Sequence, residues 1–292
     1  MPRGKAPKTW QLIEAMKSIL KEIQPCSVRA VCYALFAMGL ISSMRKSITN
    51  GVGVHLGFAR KEGIIPWEWI VDDTRNVEGN QGWNNKEAFK QAALNSFRLS
   101  RWTQQSVRIE VWSEKSTVKG TLLPMLDKYG IQFRPMRGFD SHTDLHDVVV
   151  MQKQRNGIPL IALHVGDWDC SGRRMIEVDV PTRLAKFWKI EKVPFPFNIK
   201  IIPVALTKKD CRSLPSFPAK RTDTRFAWFV KRYGYKCWEL DAMSPAKLRL
   251  RVEGAIRLQP IDWQAWERCE RAEQAEQESL ETFLSAWQKI VA

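Results

Sequence analysis

The sequence predicts an α/β protein in which a small helical domain precedes a domain of alternating strands and helices, closed by a helical tail. Three observations carry this expectation. Apolar residues recur at helical spacing between residues 9 and 61, a strand–helix rhythm runs from 108 to 206, and 292 residues exceed one average domain.

The elements follow in order. Thr9 to Ile23 places Leu12, Ile13, Met16, Ile19 and Leu20 on one helix face. Ser27 caps a second helix reaching about Leu40, and a third spans Thr49 to Lys61 despite Gly51, Gly53 and Gly57. Gly63 to Val71 reads as a bent β ribbon ending in the acidic turn Asp72-Asp73. Three helices followed by a ribbon is the pattern of a winged helix-turn-helix over residues 1–75, a DNA-docking unit, although a helical cap that never touches DNA shares it. Residues 76–106 form a connecting segment with a polar stretch and one helix.

From there the rhythm changes. Strands are expected at Arg108–Trp112, Ile131–Met136, Pro159–Val165 and Ile199–Leu206. Helices are expected at Thr117–Tyr129, Ser141–Gln154 (capped by Ser141) and Gly172–Trp188. This alternation implies a largely parallel sheet in a domain spanning 107–245, whose functional residues gather at the carboxyl ends of strands. Trp238 to Ala242 reads as a strand leading into a helix capped by Ser244. Residues 246–292 form the tail, with an acidic helix from Trp263 to Ile290 that packs on the body or pairs with another copy of the chain.

Composition narrows the function. Lys plus Arg is 46 against 31 Asp plus Glu, a formal charge of +15. Such an excess suits a polyanionic partner, with nucleic acid ahead of a membrane surface. It concentrates between Pro181 and Lys236, with 14 basic and 3 acidic residues, and reverses after Gly254, with 4 basic and 7 acidic. The six cysteines form no C-x-x-C pair and argue against zinc and against a disulfide framework. With no signal peptide and no apolar run of about 20 residues, the expected location is the cytoplasm.

Two segments place acids just past predicted strands. Glu114 follows Ile109-Glu110-Val111-Trp112-Ser113, and Leu160 to Val165 runs into Gly166-Asp167-Trp168-Asp169-Cys170-Ser171-Gly172. On extended backbone, residues i and i+2 project the same way, so Asp167 and Asp169 can converge on one cation while Gly172 lets the chain turn into a helix. Three carboxylates make a hard, oxygen-rich site suited to Mg²⁺. Asp169 alone would equally serve as the cap of the next helix.

These acids are similar in order and spacing to the Toprim domain of topoisomerases, primases and related nucleases. Ser27-Val28-Arg29-Ala30-Val31-Cys32-Tyr33 resembles the Ser/Thr-x-Arg-x-x-aromatic-Tyr motif shared by the topoisomerase VI A protein and the meiotic double-strand-break transesterase. Arg137-Gly138-Phe139-Asp140-Ser141 resembles the Arg-Gly-Phe-x-Ser segment of the same family. The resemblance covers roughly residues 9 to 245, with Cys32 in place of the first aromatic and no ATPase part. It implies a winged helix followed by a Toprim domain, in a minimal bacterial or mobile-element member or a related plasmid-defence nuclease.

The resemblance further implies that Tyr33 attacks a phosphate of double-stranded DNA, assisted by Arg29, with Mg²⁺ held by Glu114, Asp167 and Asp169. It implies a homodimer in which the Tyr33 of one protomer meets the acids of the other, and an ATPase carried by a separate protein. On the helix, Arg29 and Tyr33 lie together, off the stripe of Val28, Val31, Cys32, Leu35 and Gly39, a placement that also suits amphipathic packing. Lys115 is expected to meet phosphate, and Arg29, Arg60, Lys61, Arg137, Arg173 and Arg174 to bind DNA. His142 and His146 read as surface residues. Two alternatives stay open: a Toprim nuclease in which water attacks, and a DNA-binding module without catalysis.

Overall fold

A computed structural model describes residues 6–70, 82–136 and 142–289. Helix α1 (Pro7–Ile23) starts on a proline that needs no amide partner and buries Ile13, Met16, Ile19 and Leu20. Helix α2 (Val28–Ala37) is capped by Ser27, whose Oγ accepts from the Ala30 amide at 3.2 Å. Helix α3 (Lys46–Lys61) begins three residues before its expected start at Thr49. Leu20, Val31, Leu35, Leu56 and Ile65 form the core between these helices.

The β ribbon expected over 63–71 does not form among the described residues 63–70. Gly63, at φ 69°, ends α3, and the amides of Gly63 and Ile64 close onto the carbonyls of Arg60 and Ala59. Pro66, which cannot donate to a ladder, then leads into a 3₁₀ turn at Trp67–Trp69. Ile70 makes a single parallel bridge to Cys26. Val71 and the turn Asp72-Asp73 lie outside the described residues.

Helix α4 (Lys86–Ser96) precedes the alternating region. Strand β1 (Arg108–Ser113), helix α5 (Lys119–Leu126) and strand β2 (Gln132–Pro135) come first. Helix α6 (His142–Gln154), strand β3 (Leu160–Val165), helix α7 (Cys170–Arg174), helix α8 (Val180–Ile190) and strand β4 (Ile199–Ala205) follow. The four strands form one parallel sheet in the order β2-β1-β3-β4. Boundaries differ from expectation where the backbone cannot continue a helix. Pro181 lacks an amide and crowds the carbonyl four residues back, and a π turn at Met175–Asp179 separates α7 from α8. Short 3₁₀ turns flank α5, and Gly130 at φ 54° stops the second.

Strand β5 (Phe217–Pro218), helix α9 (Phe226–Tyr233) and strand β6 (Lys236–Cys237) add an antiparallel pair, β5-β6. The strand expected from Trp238 reduces to one bridge with Trp168 and a 3₁₀ turn at Leu240–Ala242. Helix α10 (Pro245–Arg257), capped by Ser244, packs against β3, β4 and α5. Helix α11 (Trp263–Lys289) is the last element among the described residues.

Two compact units result: residues 1–74 with 109–259, and residues 75–108 with 260–292. The helical tail expected from 246 therefore divides, with α10 in the first unit and α11 in the second. In the first, Trp112, Val149, Leu160, Ala162 and Leu184 are buried about the sheet. Glu110 on β1 is buried too, at 2% exposure, and is matched by Arg134, Arg155 and the Trp112 indole. In the second, α11 lies along α4. Its buried Glu273 accepts from the Leu99 amide at 2.9 Å and faces Arg101, while Gln105 and Asp262 exchange side-chain–backbone bonds at 3.0 and 2.8 Å. All six cysteines are free, and among the described residues no helix is long and apolar enough to cross a membrane.

Candidate metal centre

Strand β2 lies on one side of β1, while β4 lies beyond β3 on the other. The connections leaving β1 and β3 therefore diverge, and the crevice at their carboxyl ends is a topological switch point, the position where open α/β sheets bind ligands. Glu114 follows β1, and Asp167 and Asp169 follow β3, so all three acids enter this crevice from neighbouring strands.

The β3 loop is extended through Asp169 (φ −141°, ψ −178°), and Trp168 between the aspartates is fixed by reciprocal backbone bonds of 2.9 Å with Trp238. Asp169 caps α7 through its Oδ1, which accepts from the Gly172 amide at 2.7 Å. Asp167 Oδ1 accepts from the Leu240 amide at 2.6 Å and meets Lys115 Nζ at 2.8 Å. Gly172 is the pivot. A Cβ there would lie 2.7 Å from the Asp167 carbonyl oxygen, 3.3 Å from Asp169 Oδ1 and 3.4 Å from Glu114 Oε1.

Charge follows this geometry. Burial, then the charges of Asp167 and Asp169, push the Glu114 carboxyl up to about 7. Burial also raises Asp167, against the opposing pull of Lys115 and the Leu240 amide. Burial would lower the Lys115 ammonium, but Asp167 and Asp241 hold it above lysine's ordinary range. Glu114, Asp167 and Asp169 thus stand as mutually repelling carboxylates about one point, with Lys115 paired to Asp167.

Among the described residues, no group of three His, Cys, Asp or Glu side chains already stands in ligating arrangement. One oxygen of Asp169 serves the helix cap, and one of Asp167 serves Lys115 and Leu240. The hydrogen bonds described fall on Oδ1 in both aspartates, so Oδ2 of each remains as a donor to a cation. The residues fit a hard divalent ion by donor type, by mutual repulsion and by the cradle that a Cβ at Gly172 would fill. Gly172→Ala is expected to weaken divalent-ion binding by about 10–100-fold, in the range of changes that displace ligand-supporting groups. A Mn²⁺ titration checks this, and unchanged affinity would contradict the cradle.

No family model, curated protein or solved structure matches the chain.

The remaining expected residues divide. Tyr33 is not off the core: it is 4% exposed, and its hydroxyl donates to Glu239 Oε2 at 3.0 Å. Helix α2 is covered on two faces, by the helical core and by the turn at 240–242, and a single apolar stripe does not show the second. Burial and the Glu239 carboxylate push the phenol upward, although Arg29 opposes them. Arg29 itself pairs with Glu239 and lies 3.4 Å from Asp241. Lys115 Nζ is 2.8 Å from Asp241 as well as from Asp167. Tyr33, Arg29, Glu239, Asp241, Lys115 and Asp167 therefore form one continuous network within a single chain.

Most cations expected to bind DNA have internal partners. Arg60 donates to the Trp67 carbonyl and stacks 4.3 Å from the Trp67 ring. Arg173 pairs with Glu177 and lies 4.3 Å over Trp168, its side chain largely buried. Arg174 is 3.5 Å from Asp179 and stacks on Trp228. Each carries its guanidinium over an aromatic ring, which the local sequence does not reveal. Lys61 is exposed. Arg137 and the rest of its motif lie outside the described residues. His146 bonds Glu191 at 2.7 Å and packs edge-on against Phe187.

Sequence reasoning does not mark Glu239 and Asp241 as site residues. Their signal is nonetheless present, since they repeat the i, i+2 acid spacing of Asp167 and Asp169 in a segment that reads as a strand.

Proposed function

We propose that the chain is a Mg²⁺-dependent enzyme that cleaves DNA strands at the crevice between β1 and β3. One observation carries this reading: Glu114, Asp167 and Asp169 enter the sheet's switch point from adjacent strands and crowd about Gly172, in a strongly basic chain. Glu114, Asp167 and Asp169 would hold the ion, which supplies charge neutralisation at the phosphoryl group and orientation of the attacking oxygen. The Toprim and winged-helix assignments belong to the same proposal.

The chain's own residues have distinct tasks. Lys115, held charged between Asp167 and Asp241, would offer its ammonium to a non-bridging phosphate oxygen at the crevice. Glu239 and Asp241 neutralise Arg29 and fix its guanidinium beside the Tyr33 ring. Attack by water is the better-supported route, because the Tyr33 phenol is buried, protonated and committed to Glu239. The transesterase reading draws support from the same hydrogen bond, since a carboxylate base oriented by an arginine is how a hydroxyl nucleophile is activated.

Tyr33→Phe separates the two. It removes one buried hydrogen bond to a charged group, costing about 1.5 kcal/mol of stability. Cleavage near the wild-type rate, with free 5′ ends on the product, is expected. Loss of cleavage together with a protease-sensitive protein–DNA adduct in the wild type would make Tyr33 the attacker.

A further inference from the structure

The basic stretch between Pro181 and Lys236 is only partly engaged by the interactions described above. Its last third folds into β5, α9 and β6, with Pro218 opposite Lys236, and Ala219 donating to the Tyr235 carbonyl at 2.8 Å. Directly after β6, Trp238 is bonded to Trp168 between the two aspartates. The ribbon is therefore anchored to the acidic loop through backbone bonds.

A cavity of about 350 Å³ lies at this junction. Asp167, Asp169 and Glu239 line it, and so do Lys220, Arg225 and Phe217. Acids for a cation and cations for an anion share one concavity, as a phosphate bridged to a metal requires. Arg225 is steadied by Asp223, whose Oδ1 accepts the Arg225 amide at 2.8 Å. Lys220 at the cavity's lip is exposed, as are Arg221 and Lys236 nearby, and with them stands Tyr235, 67% exposed, its ring 6.2 Å from Phe226.

We infer that this ribbon is a binding rim for an unpaired DNA strand, in which Tyr235 stacks on a base while Lys220, Arg221 and Lys236 meet the backbone phosphates. A tyrosine face exposed among lysines and arginine is the combination that single strands recognise, because a base must leave the duplex stack to present its own face. Charge complementarity selects the phosphate backbone as occupant. The inference rests on the reading of the acidic crevice as a DNA-cleaving centre, for which the rim would deliver the strand.

The test is fluorescence anisotropy in EDTA, which prevents cleavage, with the full chain and a labelled oligothymidylate or a duplex of equal length. Tyr235→Ala is expected to weaken oligothymidylate binding about tenfold and duplex binding much less, as expected for one missing base stack. The triple variant Lys220→Ala, Arg221→Ala, Lys236→Ala is expected to weaken binding at least tenfold. It should also flatten the slope of log affinity against log salt by about 0.7 for each phosphate no longer engaged. These residues are exposed, and circular dichroism of each variant confirms the fold. Wild-type affinity in both variants, or preference of the wild type for the duplex, would overturn the inference. A wild type that binds through this rim yet cleaves nothing with Mg²⁺ would overturn the cleavage reading alone. A wild type that cleaves while both variants bind normally would overturn the rim alone.

Discussion

Asp167→Asn is expected to lower Mg²⁺-dependent DNA cleavage by about 10³-fold or more, since a metal ligand contributes several kcal/mol to the barrier and each 1.36 kcal/mol is tenfold. Asparagine suits this test because its side-chain oxygen still accepts from the Leu240 amide, which bonds Asp167 at 2.6 Å. Lys115 keeps Asp241 at 2.8 Å as its remaining carboxylate partner. The fold should therefore persist, with a melting temperature close to wild type. DNA affinity should hold or rise, because one negative charge leaves the crevice. Cleavage and anisotropy on the same preparation check both halves. Full cleavage by the variant would remove Asp167 from the metal centre.

Glu110→Ala is expected to destabilise the first unit by about 3–5 kcal/mol, the range found when one partner of a buried ion pair is deleted. Arg134 Nε donates to Glu110 Oε2 at 2.8 Å, the Trp112 indole donates to the same oxygen at 2.9 Å, and Arg155 lies 3.6 Å from Oε1. Without the carboxylate, Arg134 is left partly buried beside Arg155 with no countercharge. Burial alone would raise the Glu110 carboxyl, yet the arginines and the indole hold it below the ordinary glutamate value of 4.5. The sign follows from that depression. The ion pair's contribution is fully present above about 4.5, the unfolded value, and disappears as pH falls through the lower folded value. Urea unfolding of wild type and Glu110→Gln should therefore differ most near neutrality and converge in acid. A constant difference across that range would contradict the account.

Much of the sheet is legible because its signals are local. Leu160 to Val165 is an unbroken apolar run, and the structure buries every residue of it. The acids past β1 and β3 can be placed by strand-end reasoning alone. What stays hidden depends on distant partners. The Tyr33 hydroxyl is satisfied 206 residues away by Glu239, and no helix-face pattern of α2 contains that bond. Residues 76–106 read as a connector because their partner, α11, lies after residue 260 and shares no sequence signal with them. Arg60 and Arg173 read as surface cations because neither tryptophan stacking nor burial shows in a count of charges. The expected ribbon fails for a local reason, Pro66, whose missing amide favours the turn that forms.

The most direct measurement is incubation of supercoiled plasmid with the wild-type chain in Mg²⁺ and in EDTA, with products resolved before and after protease digestion. Nicked or linear DNA that appears with Mg²⁺, is absent in EDTA and needs no protease to be seen is the result expected from the crevice of Glu114, Asp167 and Asp169. Plasmid left intact with Mg²⁺ and with Mn²⁺ would contradict it.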